Sequence, residues 1–236
     1  KASYSSPVLA TLVGVRQILS IHASSVTGHD TADGHELWNF PWPGDWPKAS
    51  QPVVIEADRV FVSAGYGIGC AMLQLNADEA GRLRVTELWH NQNMKTQFTN
   101  VVVRNGLVFG LDDGILVCLD LTTGKRRWKA GRYGHGQVLL VDDLILIQAE
   151  SGGIVLVAAD PWAHRELGHF PALTAKTWNN LALSGRYLLV RNDREAACFE
   201  LPLRDTSAES DSANDGGETN GQTYEDQSDP FPDPCV

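Results

Sequence analysis

Leu119-Asp120-Leu121-Thr122-Thr123-Gly124-Lys125-Arg126-Arg127-Trp128 repeats the pattern of His29-Asp30-Thr31-Ala32-Asp33-Gly34-His35-Glu36-Leu37-Trp38, with an Asp four residues before a Gly and eight before a Trp in both. A third copy is stretched: Leu75-Asn76, an inserted polar segment, then Glu87-Leu88-Trp89. A fourth has decayed, running from Ala159-Asp160-Pro161-Trp162 to Arg165-Glu166-Leu167 without a closing Trp, and a fifth stops at Cys198-Phe199-Glu200-Leu201. Trp38, Trp89 and Trp128 stand 51 and 39 residues apart. Once the insertion is discounted, that spacing is close to the ~40-residue period of a propeller blade.

Within each unit the hydrophobic period is two. Val60-Phe61-Val62-Ser63 and Leu107-Val108-Phe109-Gly110 are β-branched and aromatic runs bounded by turn residues. The third unit predicts strands at 100–103, 107–111, 115–120 and 125–129. Arg104-Asn105-Gly106, Asp112-Asp113-Gly114 and Leu121–Gly124 separate them. Asn-Gly and Asp-Gly supply the positive φ that tight hairpins demand. No stretch keeps apolar residues at i, i+3, i+4 and i+7 over three turns, so the chain reads as all-β.

Tandem four-stranded antiparallel units describe blades of a β-propeller. They are expected at 6–40, 51–90, 99–130 and 136–170, followed by three strands between 178 and 203, with the outer strand of the last unit missing. Gly34 and Gly124 allow the turn between third and fourth strands, and Asp30 and Asp120 accept hydrogen bonds from the turns that follow them. Trp38, Trp89 and Trp128, on fourth strands, are expected to fill the space between blades. These repeated residues are read as structural, because no single active site could use every copy.

Composition narrows the function. Of 236 residues, 43% are apolar and 20% charged, with 22 Gly and 11 Pro, which excludes collagen-like and wholly disordered chains. No apolar run reaches the ~18 residues of a membrane span. The net charge of −10 is unevenly placed: residues 1–204 hold all 19 Lys and Arg against 20 acids, and residues 205–236 hold nine acids and no base. A near-neutral body argues against nucleic-acid binding. Segment 204–236, poor in apolar residues, is expected to be a disordered acidic tail. Cys70, Cys118, Cys198 and Cys235 form no C-x-x-C pair, and three of them sit in apolar strand patterns as core thiols. The chain opens at Lys1 with neither an initiator Met nor a signal-peptide pattern, and is expected to be a processed form or a piece of a longer protein.

The Asp-x-x-x-Gly-x-x-x-Trp unit, together with Glu36–Trp42, Ser63–Ala71 and Asn91–Lys95, resembles the pyrroloquinoline-quinone-type (PQQ-like) propeller repeat across about residues 6–203. The resemblance implies a ring of about seven or eight blades, of which this chain would be the C-terminal part. It also implies an extracytoplasmic, periplasmic setting. The family includes quinoprotein alcohol dehydrogenases and the propeller lipoprotein of outer-membrane β-barrel assembly. The dehydrogenases carry a vicinal Cys-Cys disulfide against the cofactor and a calcium ion held by carboxylate and Asn oxygens. This sequence has no adjacent cysteines and no matching cluster, so no catalytic residue, cofactor or metal site is assigned. The favoured reading is a non-catalytic scaffold or binding module. The alternatives are a PQQ- and Ca²⁺-dependent oxidoreductase with part of its site in upstream blades, and the sensor domain of a larger signalling protein.

In a propeller, the connections between blades and the turns between second and third strands share one face. That face would present Trp42, Trp46, Tyr66, His90, Lys95, Arg132, Tyr133, His135 and Lys176 to a protein partner or small ligand. The competing reading of Trp42 and Trp46 is that they pack down a long Pro-rich loop. Asn100, Gln137 and Asn180, at the starts of first strands, would line the central channel and hold water or a small ligand. Gly65-x-Gly67-x-Gly69 leads into a strand and reads as a turn, not a dinucleotide loop. The histidines and the Asp112-Asp113 and Asp142-Asp143 pairs read as turn residues and hairpin corners.

Overall fold

A computed structural model describes residues 3–44 and 46–202. It contains five antiparallel sheets in chain order. The first comprises β1 (Val8–Leu12), β2 (Val15–Ile21), β3 (Ser25–Asp30) and β4 (Glu36–Pro41). The second comprises β5 (Val53–Ile55), β6 (Arg59–Ala64), β7 (Gly69–Ala77) and β8 (Leu83–Asn91). The third comprises β9 (Val102–Arg104), β10 (Leu107–Asp112), β11 (Ile115–Asp120) and β12 (Arg126–Arg132). The fourth comprises β13 (Gln137–Val141), β14 (Leu144–Gln148), β15 (Gly153–Ala158) and β16 (Glu166–Pro171). The last has β17 (Ala182–Ser184), β18 (Tyr187–Arg191) and β19 (Ala196–Glu200). Each strand pairs with its sequence neighbour, so every sheet is a simple meander. The all-β propeller-blade reading holds, including the short fifth unit. The expected acidic tail lies outside the described residues.

Hairpins form where the sequence supplies the dihedrals. Asn105-Gly106 (φ 48° and 74°) and Asp113-Gly114 (φ 47° and 84°) both take positive φ at the two central positions, the type I′ arrangement whose twist matches the flanking strands. The Asp-x-x-x-Gly turn works as its composition implies. Asp120 Oδ1 accepts from the Thr123 N–H at 2.9 Å, and the Gly124 N–H donates to the Asp120 carbonyl at 2.8 Å. In the first blade, Asp30 Oδ1 accepts from Ala32 N–H at 2.7 Å and Gly34 N–H donates to the Asp30 carbonyl.

The core is divided among the spaces between sheets. Leu19, Val26 and Trp38 of the first sheet pack against Val60, Ala71 and Leu73 of the second. Phe61 and Met72 pack with Val108 and Leu119, and Phe109 and Cys118 with Ile145 and Val157. The central strands are therefore apolar on both faces; every residue of β10 is buried. Trp89 Nε1 donates to the Leu121 carbonyl at 3.1 Å, and Trp128 Nε1 to the Asp160 carbonyl at 2.8 Å, so each indole reaches into the next blade. Trp38 packs in the same kind of space but donates within its own blade, to Gln17 Oε1. The fourth junction has no indole. Gly168 holds the register position of the Trp, and Phe170 meets Phe199 edge-to-face at 5.1 Å instead.

A register shift falls beside this position in the first four blades, between Gly28/His29, Met72/Leu73, Cys118/Leu119 and Leu156/Val157. A β-bulge re-aims a side chain and increases local twist, which suits outer strands that must wrap the next blade. The sequence reading contains no such bulge, because an extra residue inside an alternating run has no signature in one sequence.

Candidate interblade-loop face

The meander puts the connections from fourth to first strands on the same edge as the turns between second and third strands. Three aromatic assemblies form there. Trp46, in the connection after β4, stacks on Tyr66, in the β6–β7 turn, with ring centroids 5.1 Å apart and planes at 20°. Both rings are exposed, at 59% and 40%. Tyr66 sits at φ 57° ahead of Gly67, a left-handed position that a bulky side chain adopts at a cost of roughly 1 kcal/mol.

The second assembly gathers three different connections. Phe98, His135 and Trp178 lie respectively before β9, β13 and β17. Phe98 contacts Trp178 at 4.9 Å and His135 edge-on at 5.7 Å, and the Lys176 ammonium lies 4.0 Å from the centre of the Trp178 ring. Glu150 organises it: Oε1 accepts from Trp178 Nε1 at 2.8 Å and Oε2 from the His135 N–H at 3.0 Å. The backbone bond from His135, the Trp178 bond and the positive charge of Lys176 together outweigh desolvation and hold the Glu150 carboxyl below its usual range. Beneath them, Gln137 Nε2 donates to the Phe98 and Trp178 carbonyls, both at 2.9 Å.

The third assembly is buried. Trp42 is 1% exposed and packs between Phe40 and His90 at 6.4 and 5.1 Å. It belongs to the core between the first two sheets, which corrects its expected place on the presenting surface: the Pro-flanked loop folds the indole inward, where its apolar area leaves water. His90 remains exposed, with Nε2 at 3.1 Å from the Ile68 carbonyl.

Two further expected surface residues are also drawn inward. Tyr133 is 8% exposed; its hydroxyl is 2.7 Å from His164 Nε2 and 3.4 Å from Glu166 Oε2, and burial followed by the Glu166 charge pushes its pKa up to about 12. Lys95 pairs with Asp112 Oδ1 at 2.5 Å and Asp113 at 3.3 Å, while Lys129 takes Asp112 Oδ2. Burial alone would lower the Lys95 pKa, but its hydrogen bonds and attraction to the two carboxylates prevail and raise it. Asp112 does close the β10–β11 hairpin, opposite Ile115, and is in addition a buried acceptor that takes the Lys95 N–H at 2.9 Å. Arg132, Lys176 and His135 keep solvent contact.

The three amides have different partners. Asn100 Nδ2 donates to Gln51 Oε1 at 3.0 Å, its Oδ1 accepts the Gln51 N–H, and both line a cleft of about 530 Å³ along β1 and β5. Gln137 is buried at 3%, spent on two carbonyls. Asn180 lies in a separate groove of about 460 Å³ beside β18 and β19. The sequence reading names Lys176 but not Trp178, Phe98 or Glu150 as surface residues; Lys176 two positions before Trp178 is the available signal. Asp30, Asp33 and His35 bring oxygen and nitrogen atoms within 4.8 Å of one another, but Asp30 and Asp33 Oδ1 already accept turn N–H groups. Cys70, Cys118 and Cys198 are free thiols in three different blades, and burial pushes Cys70 and Cys118 to about 12.

Tandem four-stranded antiparallel meanders with the core divided among the spaces between them define propeller blades, a repeat-protein class. Residues 1–130 match the family described as "Outer membrane protein assembly factor BamB", and the chain belongs to this PQQ-like propeller family. Among solved structures it is similar to BamB from Moraxella catarrhalis, at 14% identity and a TM-score of 0.60, covering 83% of this chain and 57% of that one. It is also similar to a functionally unknown protein from Desulfotomaculum acetoxidans, at 11% identity and a TM-score of 0.56, covering 85% of this chain and 70% of that one. These likenesses concern the fold. No curated protein matches. No helix among the described residues is long and apolar enough to cross a membrane.

Proposed function

We propose that the chain is a non-catalytic binding module that engages a protein partner through its interblade-loop face, outside the cytoplasm. The observation that carries the reading is the Trp46–Tyr66 stack: two large rings held in solvent, one of them on a left-handed backbone position where Asn or Gly is the usual occupant. Exposed aromatics on a rigid scaffold are typical anchors of protein interfaces. Phe98, Trp178 and Lys176 extend the same edge with an aromatic and cationic surface. The family's description as an outer-membrane assembly factor supports both the protein partner and the extracytoplasmic setting. The reading requires no quinone, metal or catalytic group.

The test places a photo-cross-linking residue at Trp46, Phe98 or Trp178 of the full chain in its own cell, with Thr122, in a turn at the opposite edge, as control. The expected result is one discrete protein adduct common to the three loop-face positions and absent at Thr122. Replacing Tyr66 and Lys176 together by Ala should cut the Phe98 adduct by about tenfold, the scale of one hot-spot contact. Equal adducts from Thr122, or none anywhere, would overturn the reading.

A further inference from the structure

Five of the 19 Lys and Arg residues fall between 125 and 132. They lie on or beside β12, the outer strand of the third blade, whose far edge pairs with no other strand among the described residues. The other outer strands are not basic: β4 and β16 have no Lys or Arg, and β8 has Arg84 alone. Two of the five cations are occupied, Arg127 by Asp120 at 2.7 Å and Lys129 by Asp112. Lys125, Arg126 and Arg132 are exposed and have no ion partner among the described residues. Arg126 and Arg132 line one shallow cleft of about 480 Å³ with Ile115, Ala130 and Gly131. Unneutralised cations collected along a free strand edge attract an extended anionic chain, since that edge also offers backbone N–H groups.

The same chain carries the complement. Residues 205–236 hold nine carboxylates and no base. Beginning shortly after Pro202, a segment of 32 residues reaches up to about 100 Å when extended, ample to pass from the fifth blade to the third. Tethering gives such a segment an effective concentration in the millimolar range, so contacts too weak to hold a free peptide suffice.

We infer that residues 205–236 lodge their carboxylates along the β12 edge, against Lys125, Arg126 and Arg132. The docked segment covers the free edge and neutralises the basic cluster. Arg132 stands where this edge meets the interblade-loop face, whereas Lys125 and Arg126 lie toward the opposite end of β12, and the inference stands independently of the function proposed for that face.

The experiment uses the intact chain, treated with a carbodiimide that joins a carboxylate to an adjacent amine without a spacer, followed by peptide mass spectrometry. The expected product links Lys125 to an acid of 205–236 in preference to Lys48, Lys95 or Lys176. Its yield should fall about fivefold in 0.5 M salt, as exposed charge pairs are screened at short range there. Arg126→Glu with Arg132→Glu should produce the same loss at low salt. Arg126→Gln with Arg132→Gln serves if charge reversal impairs folding, and the salt arm needs no substitution at all. Links spread evenly over the other lysines, links confined to pairs between separate molecules at high dilution, or a Lys125 yield indifferent to both salt and charge, would overturn the inference.

Discussion

Asp112 concentrates several interactions in one side chain. It is 1% exposed and accepts from the ammonium groups of Lys95 and Lys129 and from the Lys95 N–H, so it clamps the connection between the second and third blades to the β10–β11 turn. Removing one partner of such a cluster leaves the others desolvated without compensation. Asp112→Ala should therefore cost about 3 kcal/mol in chemical denaturation. Asp112→Asn should cost less, because it can still accept the backbone N–H. The raised Lys95 pKa means that its contribution is complete below its ordinary value of 10.5 and is lost as pH rises through the higher folded value. Wild-type stability should show this alkaline loss, and Asp112→Ala should diminish it, leaving only what Asp113 supports.

Gly34 and Gly124 hold the same place in two copies of the repeat, with φ 77° and 65°. A Cβ at Gly34 would meet nothing within 4 Å, whereas at Gly124 it would lie 2.7 Å from the Trp89 ring and 2.5 Å from Asn91 Nδ2. One glycine serves its turn alone; the other also admits the indole of the preceding blade. Gly34→Ala should cost about 1 kcal/mol, the backbone penalty of left-handed φ, and Gly124→Ala at least about 2 kcal/mol. The difference, read in paired urea titrations, reports the packing between blades. Equal losses would mean that Trp89 moves aside freely. The motif was legible in the sequence at both sites, yet nothing in either copy distinguishes them, because the difference lies in what the neighbouring blade lays on top.

For the whole molecule, blades in a row behave as nearest-neighbour units. Strand β10 is buried along its length between two flanking sheets, whereas β18 alternates exposed and buried because the fifth sheet packs only against the fourth among the described residues. Amide hydrogen exchange should accordingly be slowest in β10 and β11 and faster in β18 and β19, ordered by neighbour contacts rather than by strand length. Uniform protection across all five sheets would contradict a chain of locally coupled units.

Period-two apolar runs, Asn-Gly and Asp-Gly turns and the recurring Asp, Gly and Trp settled the strands, the hairpins and the stacking of blades from the sequence itself, because each is a local requirement written into adjacent residues. Which aromatics face solvent was not local. Trp42 and Trp46 share one Pro-rich loop, but the first fills the space between two sheets and the second stands on Tyr66. Glu150 gained its role only when connections distant in sequence brought Trp178 and His135 to its two oxygens. Exposure and partnership depend on which surfaces the folded blades place opposite one another, and that is decided by packing across the chain.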